Sequence, residues 1–391
     1  MPHARIRTLT LSRFRSYGAM RLSVNAGPVV LTGPNGAGKT NVLEALSFLT
    51  PGRGLRRAQL TDIGQREMGA QAQHGGPHLP AHEPHAAPWA VSALVEGAYG
   101  EVRLGTGMDE PDATTRRCRI DAAPVGSANA FLDHLKVIWL TPEMDGLFTG
   151  PPSDRRRYLD RLVLAVDGSH GSRANSLERA LRARNRLLED NGAPRFLDAV
   201  EHELAELAIA VSAARVETVA RLTAEIAAHH DEASPFPFAE VALDGTVERL
   251  LAAAPALEVE DRYRALLRDN RPRDRAAGRT LEGPHLCDLQ VSHGSKLLPA
   301  ARCSTGEQKS LLIGLTLSHA RLVTAMQGLS PVLLLDDVVA YLDSARRAGL
   351  FSALTQLGAQ VWMTGAEPSA FTQLECGEHF TVAPGTISPR N

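Results

Sequence analysis

Gly33-Pro34-Asn35-Gly36-Ala37-Gly38-Lys39-Thr40 constrains this chain more than any other segment, because it matches G-x-x-x-x-G-K-[ST] without a gap. Its surroundings fit as well. Val29-Val30-Leu31 is an apolar run entering the loop, and Val42, Leu43, Leu46 and Leu49 recur on one helical face after it. Glycines let successive backbone N–H groups turn toward one anion, and the N-terminus of the following helix adds its dipole. Lys39 is placed to reach the β and γ phosphates and Thr40 to offer its hydroxyl to Mg²⁺, so ATP with Mg²⁺ is the expected ligand pair.

A second segment completes such a site. Pro331-Val332-Leu333-Leu334-Leu335-Asp336-Asp337 reads as a buried central strand ending in two acids. Asp336 is then a Mg²⁺ ligand with Thr40, and Asp337 the group that orients or deprotonates the attacking water, with Lys39 as its catalytic partner. Lys39 and Asp336 lie almost three hundred residues apart, so a large insertion separates the halves. About thirty residues before Asp336 stands Ser304-Thr305-Gly306-Glu307-Gln308, a serine and a glycine opening a helix. One nucleotide does not need two such helix ends unless the second serves a nucleotide held by another copy.

The insertion is helical. From Ser153 to His230 the chain is rich in Ala, Leu and Arg, and Leu204, Ala208, Val211, Val219, Leu222 and Ile226 form an amphipathic stripe. Asn191-Gly192-Ala193-Pro194 separates this helix from an earlier one, which predicts an antiparallel pair: a projecting arm, or one part of an ordinary bundle. Residues 71–88, with His74, His78, His82 and His85 among Gly, Pro and Ala, read as a flexible insertion rather than a helix of metal ligands. With 391 residues and 43% hydrophobic content the chain can bury a large core, and no apolar run approaches the ~18 residues that span a bilayer. Four cysteines without CxxC spacing, and an N-terminus without a signal-peptide core, point to the cytoplasm. A net charge of −2 gives no global pull toward a polyanion, so nucleic-acid binding needs local basic patches.

Together these segments resemble the ABC-type ATPases, whose S-G-G-Q-like signature is similar to Ser304-Thr305-Gly306-Glu307-Gln308. Within them the likeness is to the RecF family of bacterial recombinational repair, related to the SMC ATPases. It is carried also by Phe14-Arg15-Ser16-Tyr17, Asn41-Val42-Leu43-Glu44-Ala45, Gly52-Arg53-Gly54-Leu55-Arg56-Arg57, Thr141-Pro142-Glu143, Pro152 to Asp160, Gly283-Pro284-His285 and Leu342-Asp343. The resemblance implies an α/β ATPase head built from both chain ends, 1–150 and 276–391, with an inserted coiled-coil-like arm lobe, 151–275. It implies an ATP-dependent homodimer in which Ser304, Thr305, Gly306 and Gln308 complete the partner's nucleotide site. It further implies weak DNA-dependent ATPase activity, binding of double-stranded and gapped DNA, RecO and RecR as mediator partners in recombinase loading, a link to SOS induction, and no membrane. Glu143 lies near a γ-phosphate-sensing glutamine of relatives, and Thr364 where transporters carry a histidine. The chain departs from the family pattern at Ala340-Tyr341 and at Leu286-Cys287.

Three arginine clusters are candidates for DNA phosphates: Arg155, Arg156 and Arg157; Arg179, Arg182 and Arg186; and Arg268, Arg271, Arg273 and Arg275. Asp154, Glu178 and Asp274 are interspersed, so each could equally be a solvated helix face. Two other readings share part of the pattern: a transporter's energising subunit, which predicts a compact insertion, and a small-molecule kinase, which predicts no Ser304 segment.

Overall fold

The computed structural model describes residues 3–25, 27–65, 87–97, 100–110, 113–231 and 234–390. Nearly all of the histidine-rich segment expected to be a flexible insertion therefore lies outside the described residues. The chain divides into two compact units, Met1–Pro142 with Val323–Asn391, and Glu143–Leu322. Residues 276–322, Ser304 included, belong to the second unit, whereas the sequence reading grouped them with the C-terminal half of the head.

The first unit holds two sheets. β1 (Arg5–Phe14) and β2 (Tyr17–Ser23) form a hairpin, and β3 (Val29–Thr32) leads through the glycine loop into α1 (Lys39–Ser47). β4 (Trp89–Gly97), β5 (Gly100–Met108), β6 (Arg117–Ile120) and β7 (Ala123–Val125) continue as a meander, giving an antiparallel sheet of order β2-β1-β4-β5-β6-β7. Its strands alternate buried apolar residues with more open ones, as in Trp89, Val91, Ala93 and Val95 against Ala90, Ser92, Leu94 and Glu96. Phe14, Phe48 and Trp89 meet edge-on or tilted beneath it, with centroids 5.3 to 6.0 Å apart.

The second sheet carries the chemistry. β8 (Val137–Leu140), β12 (Val332–Leu335), β13 (Val361–Gly365), β3, β14 (Glu378–Ala383) and β15 (Thr386–Pro389) are ordered β15-β14-β3-β13-β12-β8, parallel except for the β14-β15 hairpin. Val29, Val30 and Leu31 are fully buried, each worth about 1.5–3 kcal/mol of apolar transfer. β12 and β3 are separated only by β13, so the acids ending β12 and the loop ending β3 open at the same sheet edge.

The second unit is mainly helical: α2 (Pro152–Val166), α3 (His170–Glu189), α4 (Pro194–Ala228), α5 (Thr246–Ala253), α6 (Ala256–Asp269) and α7 (Arg271–Ala277), with a small sheet of β9 (Ala239–Asp244), β10 (Asp288–His293) and β11 (Leu298–Pro299). α8 (Thr305–Gln327) opens in it. The antiparallel pair predicted from the sequence is α3 and α4, and the 35 residues of α4 span about 52 Å. It is one part of a bundle rather than a bare arm. Leu204, Ala208 and Val211 of α4 share one core with Leu177 and Leu181 of α3, Val247 of α5, and Val259, Tyr263 and Leu267 of α6.

Candidate nucleotide site

The glycine loop is shaped by two close approaches. Gly33 has φ 151°, and a Cβ there would lie 2.3 Å from the Val382 carbonyl oxygen. Gly38 has φ 107°, and its Cβ would meet Ser16 Oγ at 2.7 Å and Tyr17 Oη at 3.0 Å. The Tyr17 hydroxyl donates to the Gly38 carbonyl at 3.1 Å, and burial raises that hydroxyl's pKa to about 12, so it stays a donor. The Phe14-Arg15-Ser16-Tyr17 segment is therefore the floor on which the loop rests.

Lys39 opens α1 and its Nζ curls back to donate to the carbonyls of Gly33 at 2.7 Å and Pro34 at 2.9 Å. Burial draws the ammonium below its ordinary pKa, opposed by the charges of Asp337 and Asp336. Thr40 Oγ1 donates to Asp336 Oδ1 at 2.9 Å, and Thr364 Oγ1 at the end of β13 donates to the same oxygen at 2.7 Å. The Thr364 hydroxyl also accepts from the Asp337 N–H at 2.8 Å. Asp337 sits in the left-handed region, φ 51°, a conformation aspartate tolerates better than most residues.

These residues line one cleft. Of those singled out in the sequence it brings together Asn35, Gly36, Gly38, Lys39, Thr40, Asp336 and Asp337, while Gly33, Pro34 and Ala37 build the loop behind. Asn41, Arg56 and Thr364 also line it. Arg56 was assigned no role by sequence reasoning, and its placement depends on Glu44. That carboxylate is fully buried, accepts from Arg15 at 2.6 and 2.9 Å, and accepts from Arg56 Nη1 at 3.1 Å. Arg56 donates to Asn41 Oδ1 as well, at 2.7 Å, and Asn41 donates to Ser16. The segments around Arg15, Glu44 and Arg56, noted earlier only as points of resemblance, thus form one charged network at the cleft wall.

The donor set fits Mg²⁺ with a polyphosphate. A carboxylate and a threonine hydroxyl in mutual contact are hard oxygen ligands, and the lysine and loop N–H groups offer positive charge beside them. Glu143 is exposed in a short turn of the second unit and is not among the residues lining the cleft.

The Ser304 segment is a capping box. Ser304 N and Oγ both donate to Glu307 Oε2 at 2.9 Å, and the Glu307 N–H returns to Ser304 Oγ at 3.4 Å. Lys296, with the two Ser304 donors, holds the Glu307 carboxyl down to about 2. Ser304 and Thr305 are exposed, and a Cβ on Gly306 would meet nothing within 4 Å, so this helix end is open to a ligand. Gln308 differs. It is buried and donates to the Cys303 carbonyl at 2.8 Å, which supports the turn from inside rather than presenting an amide outward.

The Gly283-Pro284-His285 segment is tied down by buried Arg215, which donates to the Pro284 carbonyl at 2.7 Å and pairs with Asp160. Of the two departures beside it, Leu286 is half exposed, while burial pushes the Cys287 thiol up to about 12.

The predicted arginine clusters are largely engaged. Arg155 pairs with Asp288 at 2.7 Å and Arg156 donates to the Cys287 carbonyl. Arg157 pairs with Asp154, and Arg182 lies 3.5 Å from Glu178. Arg271 is held by Glu201 and Asp198, Arg268 by Asp198, Arg273 by Glu282, and Arg275 by the Leu188 carbonyl. Asp154 and Glu178 are acids interspersed in the sequence, whereas Asp288, Glu201, Asp198 and Glu282 are brought in by the fold.

Residues 5–381 match the family described as the RecF/RecN/SMC N terminal domain. A DNA replication and repair protein RecF from Mesorhizobium japonicum is 49% identical over 98% of this chain and 97% of its own length. One from Rhizobium etli is 47% identical over 99% and 100%. Among solved structures, the recombination mediator protein RecF-ATPrS in the RecFOR pathway shares the fold at TM-score 0.84 and 21% identity, over 100% and 99% of the two chains. An Smc head domain from Pyrococcus furiosus shares it more loosely, at TM-score 0.53. Among the described residues no helix is long and apolar enough to cross a membrane. With the ABC-type head and its glycine loop in place, this chain belongs to the RecF family of DNA replication and repair proteins.

Proposed function

We infer that the chain is an ATP-controlled DNA-binding switch of recombinational repair. The observation that carries this is the meeting of Thr40 and Thr364 on one Asp336 oxygen beside Lys39, a place ready for Mg²⁺ and the terminal phosphates. When bound, Mg²⁺-ATP supplies the phosphoryl group that water attacks. The protein's part is positioning. Gly33 to Thr40 hold the phosphates, Thr40 and Asp336 hold the metal, and Asp337 orients water with its backbone fixed by Thr364. Ser304, Thr305 and Gly306, supported by Gln308, cap the nucleotide of a second copy, so ATP drives homodimer formation on double-stranded or gapped DNA and slow hydrolysis reverses it. RecO and RecR are the mediator partners, recombinase loading and SOS induction the outcomes. The family decides against the transporter and kinase readings.

The test is dimerisation and DNA binding with ATP and Mg²⁺ in the native chain, Lys39→Met and Ser304→Arg. ATP should drive both in the native chain alone. A native chain that stays monomeric with ATP sinks the shared-site account.

A further inference from the structure

If the chain binds duplex DNA as inferred above, a surface must receive it, and the geometry points to the open face of the β2-β1-β4-β5-β6-β7 sheet. One register line crosses five strands on that face: Arg21 pairs with Thr10, Thr10 with Ser92, Ser92 with Gly105, and Gly105 with Arg119. The next line on one side runs Ser23, Thr8, Leu94 and Arg103, and on the other Ala19, Ser12, Ala90, Gly107 and Arg117. Arg13 lies just beyond Ser12 and is exposed.

The face is therefore a floor mostly of small and hydroxylic residues, Leu94 excepted, with an arginine on edge strand β2 and others on β5 and β6 toward the opposite side. Arg21, Arg103 and Arg119 are exposed, and among the described residues they make no ion pair, as is true of Arg13. Arg117 is shared with Asp109 at 2.8 Å. Other acids stand at the margins. Glu96 is paired with Arg7, Glu101 lies opposite Glu96, and Asp121 accepts the backbone N–H of Arg103 at 2.8 Å. The β2 side keeps net positive charge through Arg21 and Arg13, while on the β5-β6 side Arg103, Arg117 and Arg119 stand among as many acids, Glu101, Asp109 and Asp121.

Three features select a duplex backbone as the occupant. Unpaired arginines suit phosphate oxygens, and serine and threonine hydroxyls between them are further phosphate donors. Four inter-strand steps of ~4.8 Å separate the Arg21 and Arg119 strands by about 19 Å, enough to address the two strands bordering a major groove ~12 Å wide. The aromatic residues of these strands, Phe14, Tyr17 and Trp89, are buried, so among the described residues the face offers no aromatic stacking platform for the bases of a single strand.

The experiment is a salt series of affinity for a labelled blunt duplex, with ATP and Mg²⁺, comparing the whole native chain with Arg21→Ala/Arg103→Ala/Arg119→Ala. The slope of log affinity against log salt should fall by about 2.7, roughly 0.9 for each lost phosphate contact. Nucleotide affinity should be unchanged, which also shows the variant folded. An unchanged slope overturns the surface and leaves DNA binding standing elsewhere. A native chain that ignores duplex at every salt overturns the reading on which the surface rests. Single-stranded DNA that binds more tightly, and loses as much in the variant, overturns the choice of duplex.

Discussion

Arginines of the helical unit and those on the open sheet face of the first unit live under opposite rules. In the helical unit they are mostly paired, down to Arg184, which is fully buried and holds Glu201 at 2.9 Å, Asp274 at 2.7 Å, Thr280 Oγ1 at 2.8 Å and the Leu267 carbonyl at 2.7 Å. On the sheet of the first unit, Arg21, Arg103 and Arg119 stand in solvent at ordered intervals without an ion pair among the described residues. One set of cations is engaged by the fold, and the other has no ion-pair partner among the described residues. Abundance of arginine along a helix is thus a poor guide to phosphate binding.

The contrast can be broken most sharply at Arg184. Arg184→Met takes the ion-pair partner from buried Asp274 and leaves buried Glu201 with Arg271 alone, which should cost about 3–5 kcal/mol in urea unfolding. A loss below ~1 kcal/mol would show that the pairing is ornamental and the comparison empty. The next effect comes from His319 in the same unit, buried with its Nε2 on the Leu162 carbonyl at 3.0 Å and its pKa lowered by burial to about 4. The unfolded chain takes up a proton near pH 6.5, before the folded one does. Stability is then fully present above that pH and falls by roughly 3 kcal/mol as pH drops toward 4. His319→Gln should flatten the slope measured by acid titration of unfolding, and an unaltered slope would assign it elsewhere. The smallest effect belongs to the sheet: Arg21→Ala and Arg119→Ala should each shift stability by no more than ~0.5 kcal/mol. A larger thermal shift would mean that these arginines also serve the fold.

What was legible in sequence follows the distance over which each feature is determined. The loop at Gly33 to Thr40 is local, so its strand, glycines and helix could all be read, as could the apolar run ending at Asp336. The α3-α4 turn announced itself through Asn191 to Pro194. Arg56 could not be read because its position is set by Glu44, twelve residues away, and by Arg15, brought in by the β1-β2 hairpin. Thr364 was noticed for its place after a strand, but its bond to Asp336 depends on β13 lying beside β12. The distant partners of the engaged arginines were hidden for the same reason: Asp288 is 133 positions from Arg155, and no periodicity connects them. The register line from Arg21 to Arg119 needs five strands in alignment, which alternation within any one strand does not supply.

The position of β3 has a consequence for how the chain is made. Its two neighbours, β13 and β14, begin at residues 361 and 378, while β3 itself ends at residue 32. Translation at 5–20 residues per second leaves roughly 16–66 seconds between emergence of the strand and emergence of its first partner. During that interval Val29, Val30 and Leu31 have no ladder partner, and the glycine loop has only the Phe14–Tyr17 segment to rest on. The nucleotide cleft is thus among the last parts of the nascent chain able to assemble, and a ribosome that stops before β13 releases a chain with an open, apolar strand edge rather than a weakened ATPase.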